Sequence, residues 1–388
     1  MMDIEDIKKV AVIGAGAMGH GIAQICATAG FKTAIRDVKQ EYIDNSLLKI
    51  EESLDYLVEN EKLTPDEKKD ILSNRLEGTL DLENAVSGAQ LVIEAVPEKL
   101  DLKKSVFNDL STIARADAIL TTNTSTMRIS DIAEAASYPE RFAGLHFFNP
   151  VPKMKLVEII KGRQSEPACT KVLNQFIRKI NKVPVTVLKD TPGFIVNRIN
   201  APNQALMNAI LDEGVIRPDE IDTTLKRMGL PMGPFELADF VGLDVFCHTL
   251  DYYAKTLSPE YAPGKILSEL AASGKLGMKS GQGIYPWDGE TAQIDSSNSS
   301  RDITPKEFLA IQLNEAVKVH KEGIAESIKQ IDQAVVHGMR AFAGPFALCA
   351  GMQPEQLAEP LQKLQQRFHL DILAPEPEIM DGSFKQFS

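Results

Sequence analysis

Short apolar runs alternate with helically spaced apolar positions over the first half of the chain. Val10–Ile13 is an uninterrupted run of strand length, the pattern of a strand covered on both faces. Met18–Ala29 follows with Ile22, Ile25 and Cys26 on one helical face, and Gly30 stands where such a helix stops. Phe31–Arg36 is the next strand and ends at Asp37. Strands resume at Leu91–Val96, Ala118–Thr122 and Phe142–Phe147. Leu102, Val106, Leu110 and Ile113 space a helix between the first two of these. Leu156–Ile160 and Val183–Leu188, with a helix between them, extend the sheet. This alternation predicts an α/β domain of parallel strands over residues 1–190.

Residues 38–75 break the alternation. Ile43, Leu47, Ile50, Leu54 and Leu57 recur at helical spacing, and Thr64-Pro65-Asp66-Glu67 has the form of a capping box with proline at the first helical position. The two helices read as an arm inserted into the sheet domain. After Thr191-Pro192-Gly193 the pattern turns helical, including Phe194–Leu211 and Asp219–Met228, so residues 191–287 form an all-α domain. Residues 288–303 are a polar linker, and residues 304–388 echo the preceding domain. Asn208-Ala209, Glu213-Gly214, Ile221-Asp222 and Gly233-Pro234-Phe235 return as Glu315-Ala316, Glu322-Gly323, Ile331-Asp332 and Gly344-Pro345-Phe346. A period near a hundred residues indicates a duplicated domain, not a solenoid.

Composition narrows the classes. A net charge of −12 argues against nucleic acid and anionic membrane surfaces as general partners, while leaving room for a phosphate held locally by backbone amides and a few lysines. No apolar run approaches the length of a membrane span, and the acidic N-terminus does not read as a signal peptide. Cys26, Cys169, Cys247 and Cys349 are far apart and form no C-x-x-C pair, so neither a metal site nor a disulfide framework is expected, and a cytoplasmic location fits.

Chemistry enters at Gly14-Ala15-Gly16-Ala17-Met18-Gly19, between a strand and a helix. Alone, this spacing is weak and fits any tight strand–helix turn. Here Gly14 suits the turn, Gly16 lets a pyrophosphate approach the backbone, and Gly19 lets helix and strand pack closely. The helix N-terminus, opened by Ala17 and Met18, offers N–H groups to phosphates. Asp37 ends the second strand, where a carboxylate accepts from ribose hydroxyls and repels a 2′-phosphate. A Rossmann-like domain binding NAD follows, with neighbouring Arg36 the one feature pulling toward NADP.

His146 stands where a parallel strand ends, and Glu158 lies beyond a Pro-Val-Pro turn on a strand that could fold back beside it. A lone histidine near an apolar strand is more often a satisfied core residue, and Glu158 reads equally as a solvated edge residue; spacing alone leaves both open. Chemically the pair suits alcohol oxidation. Imidazole accepts the hydroxyl proton as hydride leaves, and a carboxylate on its far nitrogen fixes the tautomer.

At this point the chain resembles the 3-hydroxyacyl-CoA dehydrogenases. The matching pieces are Val12-Ile13-Gly14-Ala15-Gly16-Ala17-Met18-Gly19, Glu94-Ala95-Val96-Pro97-Glu98, Thr122-Asn123-Thr124-Ser125-Thr126, His146-Phe147-Phe148-Asn149-Pro150-Val151, Pro192-Gly193-Phe194-Ile195-Val196-Asn197-Arg198, Gly233-Pro234 with Asp239 and Gly242-Leu243-Asp244, and Gly281-Gln282-Gly283-Ile284-Tyr285. They run in family order over residues 8–287. The resemblance implies oxidation of a 3-hydroxyacyl-CoA to the 3-oxoacyl-CoA with NAD as acceptor, as in fatty acid or short-chain acyl-CoA metabolism. It makes His146 the base, Glu158 its partner, Ser125 a residue bonding the substrate oxygen, and Asn197 a residue holding the substrate. Glu98, Lys103, Asn149 and Lys279 match cofactor contacts; by themselves Lys103 and Lys279 pass as surface lysines.

The arm is where the family holds part of coenzyme A, and Ser53 matches one such contact. The basic residue expected seven positions later is absent: Asn60 stands there, with Lys62 nearby as the substitute. The tail resembles the duplicated helical domain of longer relatives, some of which continue into an enoyl-CoA hydratase domain. It carries no second glycine turn and no second His-Phe-Phe-Asn, so it adds no active site. In simple members the helical domain pairs with that of another subunit; residues 304–388 are expected to take that place, giving a monomer, with a homodimer as the alternative. Two competing readings stay open: a dehydrogenase of a free 3-hydroxy acid, and a non-catalytic NAD-binding relative.

Overall fold

The computed structural model describes residues 2–387 and divides into two compact units. The first holds residues up to Ile195 together with 323–326 and 333–344; the second holds Val196–Glu322, 327–332 and Pro345 onward.

The first unit is built on eight strands: β1 (Lys9–Ile13), β2 (Lys32–Arg36), β3 (Leu76–Thr79), β4 (Leu91–Glu94), β5 (Ile119–Thr122), β6 (Phe142–Phe147), β7 (Leu156–Lys161) and β8 (Val183–Val187). Their order across the sheet is β3-β2-β1-β4-β5-β6-β7-β8, and every pairing is parallel except β6 with β7. Helices α1 (Gly19–Thr28), α2 (Gln40–Glu59), α3 (Pro65–Asp70), α4 (Leu82–Val86), α5 (Leu100–Ile113), α6 (Ile129–Ala133) and α7 (Pro167–Lys179) belong to the same unit. Strands covered on both faces need apolar residues at successive positions, and Val10–Ile13 and Leu91–Ile93 are each fully buried. Each Val, Leu or Ile side chain among them contributes about 1.5–3 kcal/mol by leaving water. Chain order reverses between β1 and β4, since β2 and β3 lie on one side and β4 onward on the other. The crevice beyond the carboxyl ends of those two strands is therefore the ligand position.

The arm forms as expected. Ile43, Ser46, Ile50 and Leu54 make the buried stripe of α2, and α3 starts at the Thr64–Glu67 box, where the Glu67 N–H donates to Thr64 Oγ1 at 3.2 Å and the Thr64 N–H donates to Glu67 Oε2 at 2.8 Å. Strand β3 is an addition that the apolar pattern does not predict. Leu76-Glu77-Gly78-Thr79 is half exposed at the sheet edge and carries a single large apolar residue. Gly78 is needed there because a Cβ would stand 2.5 Å from Ile43 Cγ2.

The second unit is helical: α8 (Val196–Glu213), α9 (Pro218–Arg227), α10 (Pro234–Val241), α11 (Leu243–Thr256), α12 (Lys265–Ala272), then α13 (Pro305–Lys321), α15 (Pro345–Cys349), α16 (Pro354–Phe368) and α17 (Pro377–Asp381). Between α13 and α15 comes α14 (Ile328–Met339), whose residues fall in both units; the 288–303 stretch includes only a minimal hairpin (Trp287–Asp288 with Thr291–Ala292). The echoed sequence positions make matching hydrogen bonds. Asp222 accepts from the N–H groups of Phe235 (3.1 Å) and Glu236 (2.7 Å), and Asp332 accepts from those of Phe346 (3.0 Å) and Ala347 (2.9 Å). Asn208 donates to Ala262 O at 3.2 Å, and Asn314 to Ala374 O at 2.9 Å. Helices α8 and α13 pack together within this unit around Arg198, which meets Glu315 at 2.5 Å and Glu322 at 3.1 Å; the Glu315 side chain is 2% exposed.

Among the described residues no helix is long and apolar enough to cross a membrane, and all four cysteines are free. Glu315→Gln leaves the buried Arg198 charge poorly compensated and should lower unfolding free energy by about 3–5 kcal/mol in denaturant titration, whereas Arg198→Met combined with Glu315→Met should recover most of that loss.

Candidate active site

The glycine turn is shaped for a diphosphate. Gly14 sits at φ 112°, with the Ala95 carbonyl 2.5 Å from where a Cβ would stand. Gly19 packs so tightly that a Cβ would lie 1.7 Å from Gly14 O, while the space beside Gly16 is open for 4 Å. Among the described residues, the N–H groups of Gly16, Ala17 and Met18 donate to no protein acceptor, and α1 has no side-chain cap. Those unpaired donors and the positive end of the helix face the gap that the small residues leave. Asp37 braces the turn, accepting from the Ala15 N–H at 2.7 Å and the Val38 N–H at 2.7 Å, and stays partly exposed at the end of β2.

Two acids tie the loops that follow β4 and β5. Glu94 is fully buried; it accepts from Thr122 Oγ1 at 2.5 Å and from Lys103 Nζ at 2.8 and 3.1 Å. Glu98 accepts from Thr124 Oγ1, from the Ser125 N–H at 2.9 Å and from Thr126 Oγ1 at 3.3 Å, and pairs with Lys103 at 3.3 Å. Burial opposes ionisation of Glu98, but the Lys103 charge and the donated bonds outweigh it and hold the carboxyl below its usual range. Lys103 corrects the expectation of a direct cofactor contact. Its side chain is 0% exposed and its donors go to Glu94, Glu98 and Val96 O, so it braces the two acids from inside. The Ser125 loop is held from its other end by Asp190, which accepts from the N–H groups of Ile129 (2.8 Å) and Ser130 (2.6 Å).

The β6–β7 pairing brings together the two residues that spacing alone left apart. His146 and Glu158 are directly opposed in the antiparallel register, and His146 Nδ1 lies 2.6 Å from Glu158 Oε2. Both are buried, and Glu158 Oε1 accepts from the Ile195 N–H at 3.0 Å, so the carboxylate is fixed at both oxygens. A carboxylate at Nδ1 makes that nitrogen the donor and leaves Nε2 as the acceptor; among the described residues Nε2 has no protein partner. Phe148 and Phe194 flank the ring at 4.4 and 5.6 Å. The Phe147 N–H donates to Asn123 Oδ1 at 2.8 Å, joining this strand end to the loop that carries Ser125. Asn149 is exposed on the turn after β6.

In the arm, Ser53 Oγ accepts from Gln24 of α1 at 2.8 Å, Asn60 bonds back to Tyr56 O, and Lys62 is exposed just past α2. Asn197 stands in the first turn of α8 and Lys279 pairs with Asp244, both in the second unit. The first unit thus assembles the glycine turn, Asp37, Glu98, Ser125, His146 and Glu158. The sequence reading places Glu94 in a motif but gives it no role, and it does not single out Asp190; an acid closing the apolar run Leu91-Val92-Ile93 was the available signal for Glu94. Among the described residues no group of three or more His, Cys, Asp or Glu side chains could hold a metal.

Two family descriptions match this chain: "3-hydroxyacyl-CoA dehydrogenase, NAD binding domain" over residues 9–191 and "3-hydroxyacyl-CoA dehydrogenase, C-terminal domain" over residues 193–287. The chain belongs to the 3-hydroxyacyl-CoA dehydrogenase family. The rat mitochondrial hydroxyacyl-coenzyme A dehydrogenase is 40% identical over 290 residues, covering 72% of this chain and 91% of its own. A Deinococcus radiodurans protein named probable 3-hydroxybutyryl-CoA dehydrogenase is 40% identical over 283 residues, covering 72% and 100%. The crystal structure of 3-hydroxybutyryl-CoA dehydrogenase from Escherichia coli K12 superposes with a TM-score of 0.84 at 28% identity over 98% of both chains, so the likeness extends through the tail. The dehydrogenase uses NAD, and the open cradle at Gly16 beside unpaired N–H groups fits its pyrophosphate. Gly19→Ala should abolish measurable NADH binding in a fluorescence titration, because its Cβ and the Gly14 carbonyl cannot share one position.

Proposed function

We propose that the dehydrogenase oxidises (S)-3-hydroxyacyl-CoA thioesters to 3-oxoacyl-CoA, with His146 as the base and Glu158 as its fixed partner. The observation that carries this reading is the 2.6 Å bond between Glu158 and His146 Nδ1, which leaves Nε2 free to accept a proton. NAD supplies the hydride acceptor. The hydroxyl proton passes to His146 Nε2 as hydride leaves the carbinol carbon, and Glu158 stabilises the resulting imidazolium. Ser125 bonds the substrate oxygen, its loop set by Glu98. Asn197 holds the substrate near the reacting carbon. Asp37 takes the ribose hydroxyls, Glu98, Asn149 and Lys279 complete the cofactor contacts, and Ser53 with Lys62 takes part of the coenzyme A. Carbonyl polarisation by Ser125 and His146 serves the reverse reduction equally.

The free-acid alternative lacks a use for the arm, and the non-catalytic alternative lacks a reason for so well fixed a His–Glu pair. His146→Gln should remove NADH production while NADH binding stays within about threefold of the parent; unchanged turnover would sink the assignment. Comparing CoA-bound with free 3-hydroxybutyrate separates the first alternative, since only the thioester should turn over.

The buried Arg198–Glu315 pair between α8 and α13 supports the reading that the tail replaces a partner subunit's helical domain. The enzyme is then a monomer, cytoplasmic, with its four thiols free. Light scattering should return 42.6 kDa; twice that mass contradicts the proposal.

A further inference from the structure

One buried ammonium closes the turn between the two catalytic strands. Lys182 follows α7 immediately after Asn181, whose φ of 58° turns the chain back toward the sheet. The residue is 7% exposed. Its Nζ donates to the carbonyl oxygens of Val151 at 2.5 Å, Met154 at 2.6 Å and Pro152 at 3.4 Å. These three carbonyls belong to the one turn that joins β6 to β7. Within that turn the N–H groups of Lys153 and Met154 both donate to Pro150 O at 3.0 Å. Carbonyl dipoles gathered on one point repel each other and need a cation at their focus; the lysine ammonium, with three donors, is that cation.

The other side of the turn lies against the dinucleotide helix. A Cβ on Gly21 of α1 would stand 2.8 Å from Val151 Cβ and 3.3 Å from Pro152 Cδ. One turn therefore touches the helix whose N-terminus faces the cofactor phosphates and also sets the hairpin register that opposes His146 to Glu158. Asn149 sits at its start.

We propose that Lys182 is a positioning residue for the reaction: its ammonium holds the 150–154 turn, and through it the His146–Glu158 hairpin and the seat of α1, in the geometry that hydride transfer requires. This rests on the reading of His146 and Glu158 as the proton-transfer pair. No carboxylate from the turn, α7, β7 or β8 bonds Nζ among the described residues, and the one charged side chain acting on it, Lys155, repels it. Burial first and Lys155 second push the ammonium down to about 8. Above that pH a neutral amine with two N–H groups faces three carbonyls, and the turn loosens.

The test is steady-state NADH formation from 3-hydroxybutyryl-CoA between pH 6.5 and 9.5 for the parent and for Lys182→Met, with folded fraction checked by circular dichroism. Misplacement of reacting groups predicts a loss of about tenfold or more in kcat per folded molecule at pH 7. It also predicts that a parental decline centred near pH 8 is missing from the variant. A variant with parental kcat, a loss explained wholly by folded fraction, or an unchanged pH profile overturns the proposal. Should Lys182→Met not fold, NADH fluorescence titration of His146→Gln over the same pH range decides. Affinity falling through about pH 8 supports the role, and a flat profile overturns it. Retained turnover in His146→Gln would instead discard the catalytic pair and leave the NADH profile to judge Lys182 alone.

Discussion

The antiparallel register of β6 and β7 is the constraint on which the proposed chemistry depends. In a sheet otherwise made of parallel pairs, this one reversal brings Glu158, near the start of its strand, alongside His146, near the end of the preceding one. A parallel crossover would have carried the carboxylate to a strand's far end. A slip of one residue would turn every side chain of β7 to the other face. Because both residues are buried, their 2.6 Å bond forms where water cannot compete, and the Ile195 N–H occupies the second carboxylate oxygen. The result is an imidazole of defined tautomer and direction.

The loops around that pair are held by charge that is itself hidden. A fully buried lysine is costly unless its donors and charge are met, and Lys103 is met by Glu94 and Glu98 together. The arrangement couples the segment after β4 to the segment after β5, since Glu94 also takes Thr122 and Glu98 takes Thr124, Ser125 and Thr126. Lys182 performs a related task with carbonyls alone. Both lysines are buried, and each ties together backbone or side chains of segments next to the proposed site.

The C-terminal helical segment keeps particular contacts of the helical segment before it. Asp332 keeps the two backbone bonds that Asp222 makes at the corresponding turn, and Asn314 keeps the carbonyl bond of Asn208. In the first copy Asp222 additionally receives the Tyr285 hydroxyl at 2.9 Å, and Asp239 receives the Trp287 indole at 3.0 Å and the Ile284 and Tyr285 N–H groups at 2.8 Å. Burial pushes the Asp222 carboxyl up to about 7. These extra bonds fasten the Gly281–Tyr285 segment of the first copy.

What the chain's order determined by itself is everything local. Apolar runs set seven of the eight strands of the sheet, helical spacing and the Thr64 box set the arm, and the glycine turn with Asp37 set the cofactor, because each rests on residues near in sequence whose backbone demands are met without distant partners. Strand β3 was not legible, since a half-exposed edge strand carries no apolar signal. Only the tertiary structure brought His146 and Glu158 together, because a strand register joins residues through space and not through spacing. It also decided that Lys103 and Lys182 are interior residues: the Lys103 acids are near in sequence but meet it only once β4 and α5 pack, and the carbonyls around Lys182 come from a turn about thirty residues upstream.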